Sequence, residues 1–563
     1  MDESNNLNPI ACKRCKERKD RPSAINASLS TATAGDNSAL SAILERLQRV
    51  EESITHARAV SDISTPSYTI NVESPSQTSQ SHGAISSSIS SAPSAIFTGT
   101  TPSPRLHLEP SAPTALDATA ILSDAVAQVE RVRAKSLTTA TITEDVAITP
   151  EMSKLWIKNY FSREPEDTFS SFLPRKLLEM MPDLVGMPHV DIDASIWVIY
   201  YCILYQGCWF PPKNTPPPDY QSHQRRLYIC CLRSLPVWRK QATGTITDFL
   251  AALFIARASV EYFDHDLFWQ TFKDACRYAQ GLNLHNLDSN AMSSSVRSVV
   301  ASWDRKSLWM LIQIDLFFRL LCDTPPVLTA NLDNWRVNLP TISAEESETG
   351  PRAVTTSCFI VGSRVTLILA QFFQLLEAPT RNDETLFDEA LALCDEIEKV
   401  FDEWQFHDWF RTCSEDINLV WAVGDVLQTG YVSIIFIMRK IAALRSGSPT
   451  PITCDDDIPD HPIVLRAARQ GLEICDVVLR DHPYASMISF LFGAGQALIS
   501  CGCLFKTILR ASRPGDYADD IVLLERVAKA LERVSKEQTD FAPLAQAMAD
   551  LCKEVQVRVD AQV

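Results

Sequence analysis

From about Thr149 onward, apolar side chains recur every three or four residues in long stretches broken by short runs of Pro, Asp or Asn. This is the period of helices that bury one face or more. The spacing predicts helices near 190–209, 223–234, 245–260, 266–284, 303–322, 354–377, 384–412, 415–445, 462–481, 485–511 and 519–536. The two-residue alternation of half-buried strands is scarce, and glycine, at 17 residues, is too sparse for a series of Gly-rich phosphate-binding turns. No segment repeats at a constant period, so a regular solenoid is not expected. The expected fold class is all-α, with one large irregular helical domain over 149–563.

Upstream the pattern changes. Leu40, Ile43, Leu47, Val50, Ile54 and Ala57 follow one another at steps of 3, 4, 3, 4 and 3. They make an a/d seam of about two and a half heptads, with Glu45, Arg46, Gln48, Arg49, Glu51 and Glu52 outside it. The seam predicts a short parallel coiled coil over 38–60; the alternative is an amphipathic helix docked on its own domain. Residues 61–148 are rich in Ser, Thr, Pro and Ala and cannot bury enough apolar surface to offset chain entropy, so mostly disordered linker is expected. Within that stretch Leu122, Ala125, Val126, Val129 and Val132 share one helical face that can cap or flank the body. Every apolar run of about eighteen residues carries charged or polar breaks, so neither a membrane-spanning helix nor a membrane partner is expected.

With 563 residues, 46% of them hydrophobic, the chain can bury a large core. A formal net charge of −17 excludes a protein that coats nucleic acid with its whole surface, so any DNA contact must be local. Residues 12–21 offer such a patch: Lys13, Arg14, Lys16, Arg18, Lys19 and Arg21 are opposed by Glu17 and Asp20 alone. The run also fits a nuclear import signal, and its plain alternative is a solvated basic tail. The 16 cysteines fall mostly singly in apolar stretches, with no secretory signal at the start. That usage suits reduced thiols in cytosol or nucleus rather than a disulfide framework.

The basic run contains Cys12 and Cys15, whose spacing can bring two thiolates onto one face of a tetrahedral Zn²⁺. It resembles the start of the fungal binuclear zinc-cluster DNA-binding domain, in which six cysteines hold two zincs after an opening C-x2-C-[RK]-x-R-K-x-[RK]-C. Cys12, Cys15, Lys16, Arg18, Lys19 and Arg21 match. Pro22 stands where the third cysteine belongs, and no further cysteine follows before Cys202, so residues 1–22 are a truncated cluster followed by a linker over 23–37. The resemblance implies zinc at Cys12 and Cys15, contact of Lys16, Arg18, Lys19 and Arg21 with phosphates and base edges in the major groove, and pairing through 40–57 into a homo- or heterodimer. A nuclear location and work with the transcription machinery follow from the same likeness. A skipped exon between Lys19 and the linker would also account for the missing cysteines.

Two passages of the body resemble the fungal-specific transcription factor middle homology domain. In Phe268 to His285, the residues Ala275, Arg277, Ala279, Leu282, Leu284 and His285 match A-x-R-x-A-x-x-L-G-L-H, with Asn283 in place of the glycine. From Arg305 onward, Arg305, Lys306, Trp309, Asp315, Pro325, Val337, Leu339 and Pro340 match R-R-x-x-W-x-x-x-x-x-D-R, G-R-P and V-x-L-P, whereas Leu316 and Asp323-Thr324 depart from it. With Tyr160-Phe161 the likeness covers roughly 150–560 and implies a regulatory domain. Physically the residues read as architecture: Asp315 is expected to pair with Arg319 one turn on, or with Arg277 across helices.

Catalytic readings find little support. Asp456-Asp457-Ile458-Pro459-Asp460 spells the D-D-x-x-D of Mg²⁺-dependent terpene synthases, but Pro459 interrupts the helix such ligands need, and the second metal motif is missing. Residues 455–460 read better as the charged start of the next helix. His285 and His407 read as core or surface histidines, and Cys501-Gly502-Cys503 as core. No H-E-x-x-H and no G-x-S-x-G occurs. The resemblance thus implies a non-enzymatic regulator of RNA polymerase II transcription, with two alternatives: a partner-pairing protein that does not bind DNA and, remotely, a terpene-synthase-like enzyme.

Overall fold

The computed structural model describes residues 117–561 apart from 163–171, 188, 210–219, 289–301, 323–325, 329–334, 340–350, 378–382, 414–415, 447–458, 483–484 and 494. These described residues are 86% helical and contain no strand, so the all-α class holds. The first half of the body comprises α1 (Ala118–Thr143), α2 (Pro150–Phe161), α3 (Arg175–Leu184), α4 (Ala194–Trp209), α5 (Tyr220–Gln241), α6 (Ile246–Glu261) and α7 (His265–Gly281). After α8 (Ser302–Cys322) come α9 (Pro351–Glu377), α10 (Asp383–Glu403), α11 (Phe406–Thr412), α12 (Ile417–Ser446), α13 (Pro462–Asp481), α14 (Ala485–Gly493), α15 (Gln496–Arg510), α16 (Ala518–Glu537) and α17 (Ala542–Asp560).

Helix α12 is the axis of the second half. It packs against α8, α9, α10, α11, α13 and α15, and Leu427, Val432, Ile434, Ile435, Ile437, Met438 and Ile441 are all fully buried. A helix apolar on all sides needs such an all-round sheath. In the first half, α4 plays the same part between α2, α5 and α6. Gly207 lets α4 approach α2, since a Cβ there would lie 2.0 Å from the Trp156 carbonyl oxygen. By length and composition Ala353–Glu377 and Leu419–Arg445 could each cross a membrane, despite their polar breaks, and 72% and 83% of their most apolar windows are buried inside the body.

The helical body begins earlier than the composition change at Thr149. The amphipathic stretch is α1, started by Asp117, whose carboxylate accepts the Ala120 N–H at 2.9 Å. Leu122, Ala125 and Val129 are buried, whereas Val132 is exposed. Helix α1 packs on α5, α15 and α17 and so ties the two halves together. The Arg233 guanidinium donates to the Thr141 carbonyl at 2.9 Å, placing a cation at the negative end of α1.

Two expected long helices are each broken in two. The stretch 384–412 turns at Gln405, with φ 51°, and 485–511 turns at Gly495, with φ 77°. The start of α13 also differs from expectation: His461, not an aspartate, is the cap, its ring accepting the Ile463 N–H at 3.3 Å. Pro459 and Asp460 precede the helix as non-helical chain.

Candidate functional site

Cys12, Cys15, Lys16, Arg18, Lys19 and Arg21, the seam at 40–57, and Asp456 and Asp457 all lie outside the described residues. Within them, the two body motifs converge on one cluster between α7, α8 and the non-helical segment 335–339.

Helix α7 ends where Asn283 takes a left-handed conformation, φ 59°. That conformation suits glycine, and asparagine is among the few other residues that adopt it readily. The reversal sends Leu284–Asn286 into a short 3₁₀ turn that delivers His285 and Asp288 to the 335–339 segment. The Arg336 N–H donates to the His285 carbonyl at 2.7 Å, and the Asp288 N–H to the Arg336 carbonyl at 2.8 Å. Arg305 on α8 donates to both Asp288 oxygens, at 2.7 and 3.1 Å, and the Asn338 N–H donates to the same carboxylate at 2.8 Å. Trp309, one turn on from Arg305, meets the Trp335 ring edge to face at 6.2 Å between centroids, and Trp335 and Val337 are buried.

Asp315 occupies the next stretch of α8 and is 1% exposed. It pairs with neither arginine expected from the sequence. Its carboxylate accepts the Val327 N–H at 3.0 Å and the Leu328 N–H at 3.0 Å, capping the loop that leaves α8. Arg319 instead reaches Glu377 at 2.8 Å and lies 4.0 Å over the Phe373 ring, and Arg277 pairs with Asp274 within α7. Gln280 holds the same loop from α7, donating to the Val327 carbonyl at 3.1 Å. Pro325 and Pro340 lie outside the described residues.

The chemistry of this cluster is that of a clasp. Both carboxylates are occupied by charge-assisted bonds that fix backbone. His285 is half-buried, its Nε2 lies 2.9 Å from Asn286 Nδ2, and desolvation lowers its pKa. His407 faces the Tyr431 hydroxyl at 2.6 Å, and its pKa is lowered by desolvation and then by Arg411. Cys501 and Cys503 are buried in α15. Among the described residues no group of three or more His, Cys, Asp or Glu is placed to hold a metal ion. A surface depression of about 620 Å³ is lined by Arg469, Glu473, Tyr517, Asp519, Asp520 and Arg526; there Arg469 grips Asp520 at 2.8 Å through both nitrogens, and Arg526 meets Asp476 at 3.0 Å.

Sequence reasoning missed Asp288 and Arg133. Arg133 on α1 is buried beneath Phe541 and Tyr262, 4.4 and 5.2 Å from their ring centroids, and donates to the Tyr262 carbonyl at 3.1 Å and to Gln538 at 2.9 Å. Burial lowers its pKa, an effect opposed by Tyr262 and Asp540. An arginine on the apolar face of α1 was the available signal, since such a position demands partners. Compared with known proteins, the chain matches no family model, no curated protein and no solved structure.

Proposed function

We propose that the chain is a nuclear regulator of transcription of the fungal zinc-cluster type, with a truncated DNA-contacting module, a short pairing coil and an all-α regulatory body. The observation that carries this reading is the convergence of the two motif passages, on successive helices, on one clasp: Arg305, Trp309, Asp315, Leu284, His285 and Val337 all lie in it. The left-handed Asn283 strengthens it, because the resembled motif places glycine at that residue. The basic run beside Cys12 and Cys15 supplies the link to DNA.

With about four phosphate-contacting cations, binding to duplex DNA should be weak and strongly salt-dependent, with a log–log slope near −4. Titration of labelled duplex with the full chain at several salt concentrations tests this. Tight, sequence-specific and zinc-dependent binding would contradict the truncated-module reading, and no binding in low salt would remove the DNA contact altogether.

Pro22 and the missing cysteines favour a second reading, in which the chain pairs through 40–57 with an intact relative and lowers its activity. Light scattering after size exclusion distinguishes the two in part: a homodimer fits self-pairing, and a monomer that captures a zinc-cluster relative fits the second.

A further inference from the structure

Helices α4 and α5 bring together a thiol pair to which the proposed function gives no role. Cys202 on α4 and Cys231 on α5 have Sγ atoms 3.7 Å apart, and both are fully buried. The sulfurs belong to neighbouring helices packed along their length, so the contact is set by helix packing rather than by a mobile loop. A disulfide needs the sulfurs at about 2.05 Å, so closure asks for a movement of about 1.7 Å, within reach of side-chain rotation and small helix shifts. Cys230, next in the chain, is also buried, and Cys208 donates to the Tyr205 carbonyl at 3.2 Å.

We propose that Cys202 and Cys231 form a dithiol site that a peroxide oxidises to a disulfide bridging α4 and α5. In the first step one thiolate attacks a peroxide oxygen. The O–O bond breaks and hydroxide leaves with the proton from that thiol as water, so the sulfur becomes a sulfenic acid. In the second step the other sulfur attacks the sulfenic sulfur. The S–O bond breaks and hydroxide leaves with the second thiol proton as water. Two thiols and one hydrogen peroxide thus give one disulfide and two waters, the two electrons passing from sulfur to oxygen.

Burial sets the rate. It pushes the Cys231 thiol well above its ordinary value, and the neighbouring Cys202 sulfur adds to the rise. Attack by Cys231 is therefore slow at neutral pH and quickens as its thiolate forms. The bridge would fasten a helix pair whose α5 member also holds the end of α1 through Arg233.

The test treats the full chain with hydrogen peroxide, blocks remaining thiols by alkylation after unfolding, and maps the peptides by mass spectrometry without reduction. The expected product is a peptide pair linked through Cys202 and Cys231, released by dithiothreitol. It should form faster as the pH rises from 7 to 9, persist in Cys230→Ser and be absent in Cys202→Ser. Recovery of Cys202 and Cys231 as separate alkylated residues, whatever happens to the half-buried Cys413 and Cys552, would overturn the proposal. Linkage of either to another cysteine would overturn it equally. The wild-type peptide map decides the matter even if a serine variant fails to fold.

Discussion

Arg305 and Asp288 meet side by side, two guanidinium nitrogens on two carboxylate oxygens at 2.7 and 3.1 Å, and so join the start of α8 to the chain that follows α7. The Asp288 side chain is 8% exposed and that of Arg305 17%, which leaves little water to replace either partner. Removing one member of such a pair strands the other. We expect Arg305→Ala to lower stability by about 3 kcal/mol. Arg305→Lys should recover only part of that, because an ammonium cannot repeat the two-pronged geometry. Urea unfolding of the variants measures both.

Asp315 gives a sharper case, since its carboxylate accepts two backbone N–H groups of one loop. Asp315→Ala takes the acceptor from the part-buried Val327 N–H and the buried Leu328 N–H and should cost about 2–4 kcal/mol. Asp315→Asn keeps one acceptor oxygen and should cost less than half as much. An unchanged denaturation midpoint in Asp315→Ala would speak for a ligand-sensing role of this residue over a structural one.

Close helix approach makes two glycines opposite in behaviour. At Gly207 an added Cβ meets backbone at 2.0 Å, so Gly207→Ala must push α2 and α4 apart, with an expected loss of more than about 3 kcal/mol. At Gly281 nothing lies within 4 Å, and Gly281→Ala in the last turn of α7 should be neutral or stabilise by up to about 1 kcal/mol. Thermal unfolding of the pair checks the contrast.

Asp425 on α12 is expected to make stability fall as pH rises. Desolvation raises its pKa from 3.8 to about 6, against the opposing effect of Gln496. The folded protein therefore holds this proton more tightly than the unfolded chain does. The resulting penalty is absent below pH 3.8, grows as pH rises towards 6, and is complete above it. Its size is about 1–3 kcal/mol after solvent screening. Asp425→Asn should stabilise the protein by that amount at pH 7.5 and make no difference near pH 4, as denaturant titrations at the two pH values would show.

How much of this was legible in the sequence depended on the range of the interaction concerned. Helix α13 was read as 462–481, its observed span, because Pro462 at its first turn and the three-and-four spacing behind it are local signals. The breaks at Gln405 and Gly495 were not read, since apolar periodicity runs on across a residue that reverses the backbone. The amphipathic face of α1 is legible in Leu122, Ala125, Val126 and Val129, but whether it caps the body or merely flanks it is not. Only contact with α5, α15 and α17 makes it part of the core. For the clasp, the motif residues Arg305, Trp309 and Asp315 were identified, but their partners were not. Asp288, Val327 and Leu328 lie 12 to 17 residues from the side chains they meet, and helix spacing carries no signal at that distance.

The central claim, that the chain regulates transcription, is tested most directly by promoter occupancy of the full chain in its own cells, measured by chromatin immunoprecipitation with sequencing. The reading predicts enrichment at discrete promoters whose transcripts change when the protein is removed, and loss of that enrichment when Leu47→Arg breaks the pairing seam. Background signal across the genome, with transcripts unaltered by its removal, would contradict it.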